Sequence, residues 1–280
     1  VQTIDTHRVQ FGELAGPLVH GAAFFDWQLI STQEVAAAFG YPFEEILAAD
    51  GIPYAPVVVG TSVDRYPVIG DAISVETVPR KAGNSSVELV YEVSDGDGER
   101  LATARMIHVT ISPDGTALPL PEDVRSDFAE ACVDRSPAVG PETETDGSAE
   151  LPSFSSSFGI HSPHIEGAEL AYFEEYPRFA DIALEAHLRE RGTSLVELRG
   201  EKQPYHVRDW RWEFKAPVRF GTTLRVQCDV LAVGRDTIRV AHEFSSDGRT
   251  NIEGVTEYGC FDRSGRPVPF DERMRTPFEA

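Results

Sequence analysis

Two stretches of this 280-residue chain gather side chains able to move protons or hold ligands. In the first, His20 stands immediately before Gly21-Ala22 at an expected helix start, and Asp26 lies one turn in. An imidazole there can orient a water or hydrogen-bond a carbonyl oxygen. It can equally cap the helix, and an aspartate near a helix N-terminus is favoured electrostatically whatever the function. The second stretch, His161-Ser-Pro-His-Ile-Glu-Gly-Ala-Glu169, brings together His161, His164, Glu166 and Glu169. Imidazole and carboxylate suit several metals. The spacing offers no complete ligand set, so no metal is expected. The chain has no GxxxxGK[ST] phosphate cradle and no GxSxG nucleophile elbow. Cys132, Cys228 and Cys260 are far apart and form no CxxC pair, which reads as thiols buried in a reducing compartment.

The elements that must position these groups come twice. Gly70-Asp-Ala-Ile-Ser-Val75 matches Gly221-Thr-Thr-Leu-Arg-Val226, displaced by 151 positions (70 to 221), and Gly83 and Val87 fall on Gly234 and Ile238 at the same displacement. One residue is lost at the next turn, where Asp97-Gly98 meets Asp247-Gly248; Pro119 then pairs with Pro269 and Arg125 with Arg275. The chain therefore reads as a tandem duplication. The expected domains are residues 1–125, an acidic Pro/Gly/Ser-rich linker over 126–152, and residues 153–280. The repeat also supplies a control. Ser94-Asp-Gly-Asp-Gly-Glu99 has a faint look of a calcium loop, but its counterpart Ser245-Ser-Asp-Gly248 is a plain hairpin turn.

Each copy predicts a short strand ending at Phe11-Gly12 or Phe158-Gly159, then a loop and a long helix over 22–39 or 172–191. A helical turn follows, near 43–49 or 194–198. Four strands close the unit: 56–65, 72–79, 85–94 and 100–111, repeated as 207–215, 223–232, 237–246 and 251–261. Alternation in Val87-Glu-Leu-Val-Tyr-Glu-Val93 and Ile238-Arg-Val-Ala-His-Glu-Phe244 marks half-buried antiparallel strands joined by Asp-Gly turns. Phe24, Phe25, Trp27, Leu29, Ile30, Val35 and Phe39 leave the first helix apolar on most of its circumference, which predicts burial all round. In the second copy Pro177 must start, kink or break the helix. Trp210 and Trp212 fall on one strand face and read as large core residues, with the lining of an aromatic pocket as the alternative. The fold class is α+β: two units, each a curved antiparallel sheet wrapped around one long helix.

Composition bounds the function. A hydrophobic fraction of 41% supports a core, and no apolar run is long enough to span a membrane, so a cytoplasmic protein is expected. Asp plus Glu total 46 against 25 Lys plus Arg, a net charge of −21, and the lysines are Lys81, Lys202 and Lys215 alone. Such a surface repels phosphate backbones and argues against nucleic acid. It also suits a salt-rich cytoplasm, where screening relieves self-repulsion, so a halophilic source and an ordinary acidic enzyme stand as the two readings.

The element order resembles the hotdog fold, and the first half resembles the 4-hydroxybenzoyl-CoA thioesterase group within it. The residues carrying this are Val9-Gln-Phe-Gly-Glu-Leu-Ala-Gly16, Ala23-Phe-Phe-Asp-Trp27, Arg65-Tyr-Pro-Val-Ile-Gly-Asp71 and the stretch from Asn84 to Arg125; the second half shows the skeleton more faintly. The resemblance implies a double hotdog, a dimer fused into one chain, acting as an acyl-CoA or acyl-carrier-protein thioesterase. Hydrolysis needs a polariser for the carbonyl oxygen and a carboxylate. The family's Asp-x-x-Gly loop aligns with Glu13-Leu-Ala-Gly16, which implies Glu13 as base or nucleophile, assisted by His20 or Asp26, with an oxyanion site at the amides of Gly21, Ala22 and Ala23. The second copy has His164-Ile-Glu-Gly167 in that register, with Glu169 nearby. Arg65, Arg80 and Lys81 would meet the phosphates of coenzyme A, which enters as part of the substrate and not as a cofactor. The acyl group would run into the seam between the two long helices. The alternatives are a hotdog enoyl-CoA hydratase or dehydratase and a non-catalytic acyl-CoA binding module. Fused pseudo-dimers of this kind can assemble further into homo-oligomers.

Overall fold

The computed structural model describes residues 3–135, 137 and 151–279. The first unit runs β1 (Thr3–Arg8), α1 (Ala22–Ala38), α2 (Phe43–Ala48), β2 (Ile52–Val63), β3 (Ala72–Ala82), β4 (Ser86–Asp95), β5 (Arg100–Ile111) and α3 (Glu122–Ala131). The second runs β6 (Ser153–Gly159), α4 (Glu175–Glu190), α5 (Leu195–Leu198), β7 (Lys202–Phe214), β8 (Thr223–Val233), β9 (Thr237–Ser246), β10 (Arg249–Asp262), β11 (Pro267–Val268) and α6 (Glu272–Arg275). One antiparallel sheet takes them in the order β1-β3-β4-β5-β2-β7-β10-β9-β8-β6, with β11 beside β10. The order within one half is repeated in reverse in the other, as a duplication joined through equivalent strands requires.

The joint is the pairing of β2 with β7. Gly60 stands opposite Arg211, flanked by Val59 opposite Trp212 and Thr61 opposite Trp210. Gly60 and Arg211 are each other's counterparts in the repeat, so a pseudo-two-fold axis passes between them. Trp210 and Trp212 are buried at this seam, as core residues should be, and Phe25 of α1 lies 4.2 Å from the Trp210 ring.

Each long helix packs on its own half of the sheet: α1 against β1 and β3, α4 against β6 and β8, and the two helices touch. α1 is buried all round only through its first turns. Ile30 is 38% exposed, and Gln33, Glu34, Ala37 and Ala38 face solvent. Its inner face carries Gln28, Ser31 and Thr32, with Ser31 bonded to Thr77 of β3 and Thr32 to Tyr91 of β4. In α4, Pro177 sits in the first turn, where its missing N–H has no intrahelical partner to lose; it starts the helix. The strands reach further than expected at their β2 and β7 starts. There Tyr54 (φ 42°) and Tyr205 (φ 60°) occupy equivalent positions in left-handed backbone, next to shifts in strand register.

The boundary at 125 also moves. α3 runs through it, because Val124 and Phe128 are buried and Phe128 stacks on Phe39 at 4.0 Å. Arg135 then pairs with Glu76 and Glu92, so the first unit's packing continues past 126. Of the expected linker, residues 136 and 138–150 lie outside the described residues. No helix among the described residues is long and apolar enough to cross a membrane.

On the seam, the Asp209 carboxylate accepts a hydrogen bond from Ser62. Burial pushes its pKa up to about 6, against the Ser62 bond, with Glu257 and Asp64 adding to the rise. A carboxyl group whose pKa rises on folding holds its proton more tightly in the folded state. It therefore costs stability above pH 6, a cost relieved as pH falls toward the ordinary value of 3.8. Asp209→Asn is expected to raise the melting temperature at pH 8, equivalent to about 1–2 kcal/mol after allowing for partial solvent screening, with the gain fading near pH 4 in thermal melts.

Candidate active site

Glu13 ends a single 3-10 turn, Phe11–Glu13, that follows β1. Its carboxylate accepts from the Gln10 amide at 2.5 Å and from Trp27 Nε1 at 2.7 Å, and His7 Nε2 lies 2.9 Å from both oxygens. Partial burial raises its pKa, but the Gln10, His7 and Trp27 bonds outweigh that and hold it below the usual range. Glu13 is thus the acceptor that ties β1, the turn and α1 together, a task closer to a capping box than to a solvated base. His164 takes the same place in the second unit: its Nδ1 accepts from the His161 amide at 3.1 Å, and its ring meets Phe179 as Glu13 meets Trp27. Glu166 caps its own loop through the amides of Ala168 and Leu170, and Glu169 is exposed at the tip with φ 60°. No cluster of metal-binding side chains occurs among the described residues.

The loop that follows differs by one residue between the copies. His20 donates its amide to Glu13, and Tyr172 donates its amide to His164, so His20 and Tyr172 are counterparts, now displaced by 152 positions (20 to 172). Both reach across to the other unit's helix. His20 Nε2 lies 3.0 Å from Oδ2 of Asp181 on α4, and the Tyr172 hydroxyl donates to Oδ1 of Asp26 on α1 at 2.5 Å. The two crossings are unequal, since Asp181 sits one turn deeper in its helix than Asp26 does. At the same displacement Asp181 falls on Leu29 of α1.

The first crossing holds the denser chemistry. His20 Nδ1 accepts from the Ala22 amide at 3.0 Å, which fixes the tautomer with the proton on Nε2, facing Asp181. The buried phenol of Tyr258 adds a hydrogen bond to the same carboxylate. Of the helix-start amides, that of Ala22 serves His20 Nδ1, while those of Ala23 and Phe24 bond the carbonyls of His20 and Gly21. The Gly21 amide takes no part in these bonds. A side chain at Gly21 would press on the Tyr66 hydroxyl and Val207 at 3.3–3.4 Å, which keeps the position glycine. Ala15, His20, Gly21, Asp181, Leu184, Glu185, Arg199, Tyr205, His206 and Val207 line a small cavity of about 60 Å³ here. Burial, with Arg199 nearby, pushes His206 down to about 4, so it is neutral.

The second crossing is larger and mainly apolar, with Gln33, Glu44 and Glu166 also in its wall. A cavity of about 400 Å³ is lined by Leu29, Phe43, Leu47, Ile52, Tyr54, Ala55 and the loop at Leu170–Phe173, and adjoins one of about 330 Å³ reaching Phe214 and Val218. Position by position, the polar groups of the first crossing are replaced: Asp181 by Leu29, Arg199 by Leu47, Gln203 by Ile52, His206 by Ala55, and His20-Gly21 by Tyr172-Phe173.

The expected phosphate ligands stand apart from both. Arg65 is paired with Asp95 and Glu99, Arg80 shares buried Glu88 with Arg105, and Lys81 is exposed on β3. Reading the sequence alone missed Asp181, Arg199 and His206. A signal for them exists in the aligned copies: the Pro53-Tyr54 and Pro204-Tyr205 match at the common displacement of 151 (53 to 204), and a carboxylate opposite Leu29 once the one-residue loop insertion is allowed.

Comparison with known proteins fits this architecture. Residues 175–253 match the Thioesterase superfamily model, so the family signature falls in the second unit, where the sequence reading found the skeleton fainter. A structure from Lactobacillus plantarum, provisionally named an oleoyl thioesterase, superposes with TM-score 0.75 at 12% identity, covering 96% of this chain and 98% of that one. The 12:0-ACP thioesterase from Umbellularia californica gives 0.70 at 15%, over 95% and 94%. An acyl-ACP thioesterase from Bacteroides thetaiotaomicron gives 0.68 at 14%, over 92% and 97%. The chain has the double-hotdog fold. No curated protein sequence matches it.

The double hotdog thus uses Glu13 as a structural acceptor. Glu13→Gln is expected to lower stability by about 1–2 kcal/mol at pH 7. A depressed carboxyl pKa contributes its stability above the ordinary value of 4.5 and loses it as pH falls below that, so the difference from wild type should shrink in acid melts.

Proposed function

We propose that the chain hydrolyses acyl thioesters, carried on coenzyme A or on a carrier protein, at the crossing of His20 and Asp181. The observation that carries this is the contact itself: a carboxylate from the second unit's helix, aligned by an imidazole from the first unit's loop, in a half-buried pocket that Gly21 also lines. Asp181 acts as general base. It takes a proton from water as the water oxygen bonds the thioester carbon. The negative charge moves to the carbonyl oxygen, which the Gly21 amide at the helix start stabilises. Collapse breaks the carbon–sulfur bond, and the thiolate receives the proton held by Asp181. His20 donates through Nε2 and keeps the carboxylate aimed, a role that needs the tautomer set by Ala22.

Glu13 is left out of this scheme because its oxygens are engaged by three donors. The second crossing has no counterpart of Asp181, only Leu29, and is read as inactive. The names of the structural neighbours and the family match of the second unit support thioester chemistry. A paired aspartate and histidine is also what water addition to an enoyl thioester needs, so hydration is the second reading.

Free-thiol release from short, long and aromatic acyl-CoAs, with product analysis of a 2-enoyl-CoA beside them, separates these. Wild type should release thiol, Asp181→Asn should lose at least about a hundredfold in kcat, and Asp26→Asn should keep most of it. A 3-hydroxyacyl product without thiol would establish hydration instead. Full activity in Asp181→Asn would remove the site.

A further inference from the structure

Arg199 lines the first crossing and is half-buried, yet among the described residues its guanidinium makes no hydrogen bond or ion pair: Nε is buried without an acceptor, and the Glu185 and Asp181 carboxylates act on it only from a distance. The carboxylates around it are committed elsewhere: Asp181 to His20 and Tyr258, and Glu185 to Arg189 at 3.3 Å. Two acceptors beside it are buried without donors. Gln203 Oε1 shares with Arg199 Nη1 the space over Gly16, where a side chain would meet them at 3.7 and 3.2 Å, and His206 Nε2 has no partner. Gln203 is 2% exposed and His206 7%. His206 Nδ1 lies 3.4 Å from the Pro204 carbonyl, which leaves Nε2 as the lone-pair side. Such acceptors favour a cation here but do not neutralise it.

The fold does not require these groups, since the second crossing carries Leu47, Ile52 and Ala55 at the same places. A guanidinium taken partly out of water without a partner costs stability unless a ligand supplies one. Its planar fork matches the oxygens of a carboxylate or phosphate.

We propose that Arg199, backed by Gln203 and His206, is a subsite for an anionic oxygen group on the thioester substrate. That group is either a second carboxylate on a short acyl chain or a phosphate of the carrier. The chemistry of the site rests on the hydrolase reading, but the binding does not.

Four stable thioethers test it by calorimetry: S-ethyl and S-carboxymethyl derivatives of N-acetylcysteamine and of coenzyme A. Wild type should bind at least one anion-bearing member about tenfold or more tightly than S-ethyl-N-acetylcysteamine. Arg199→Met should erase that preference, and Arg199→Lys should restore part of it. A gain from the carboxymethyl group on both scaffolds assigns the acyl carboxylate; a gain from coenzyme A with either substituent assigns the carrier phosphate. No preference in wild type, or an intact one in Arg199→Met, overturns the proposal. Thiol release by the Asp181→Asn protein judges the hydrolase reading separately, because these binding ratios do not depend on turnover.

Discussion

The pairing of β2 with β7 is the constraint on which the rest depends. It sets Gly60 against its own counterpart Arg211, so two half-sheets become one and the two units face each other about a pseudo-two-fold axis. The loop before each long helix then lies against the other unit's helix. A single unit would leave His20 with no carboxylate and Asp181 with no imidazole. The site is therefore a property of the fused pair, and the hydrogen bonds of the seam, together with buried Trp210 and Trp212, hold its two sides in register.

Fusion also frees the copies to diverge, which two identical chains cannot do. The first crossing kept charge, a fixed tautomer and a glycine at the helix start. The second keeps a carboxylate, Asp26, but pairs it with a phenol, carries Phe173 and Leu29 in place of Gly21 and Asp181, and opens into a larger cavity. A one-residue insertion in the second loop and the proline opening α4 belong to the same divergence. Unpartnered Arg199 shows how far it went: the polar cluster around it has no echo at Leu47, Ile52 and Ala55.

Much of the fold was legible in the sequence. Turn glycines and alternating strands repeat at a displacement that changes by only one residue along the strands, and β5 and β9 fall within their expected bounds. The register of β2 on β7 was not legible, because the alternation in β7 (Trp210 and Trp212 buried, Arg211 and Glu213 exposed) shows which face turns inward but not which residue of β2 stands opposite, and β2 itself carries no clean alternation. The helix that begins at Glu122 was hidden in a polar stretch whose burial depends on two residues, Val124 and Phe128. For the candidate site, His20 and Gly21 could be named from the sequence, and the structure places both in the lining of the small cavity at the first crossing. Glu13 drew attention by its loop position, but only the structure shows His7, Gln10 and Trp27 closing on it. Asp181 was invisible for a physical reason: a lone carboxylate in an amphipathic helix looks solvated until the opposite unit brings its imidazole.

The central claim is that His20 and Asp181 act as one device across the two units. A double-mutant cycle on kcat/KM for thiol release tests it most directly, using His20→Ala, Asp181→Asn and the pair together. Groups that act as a unit give strongly non-additive losses. The account predicts that the double variant is about as slow as the worse single variant. Losses that multiply would contradict it, as would a Tyr172→Phe protein that loses as much activity as either.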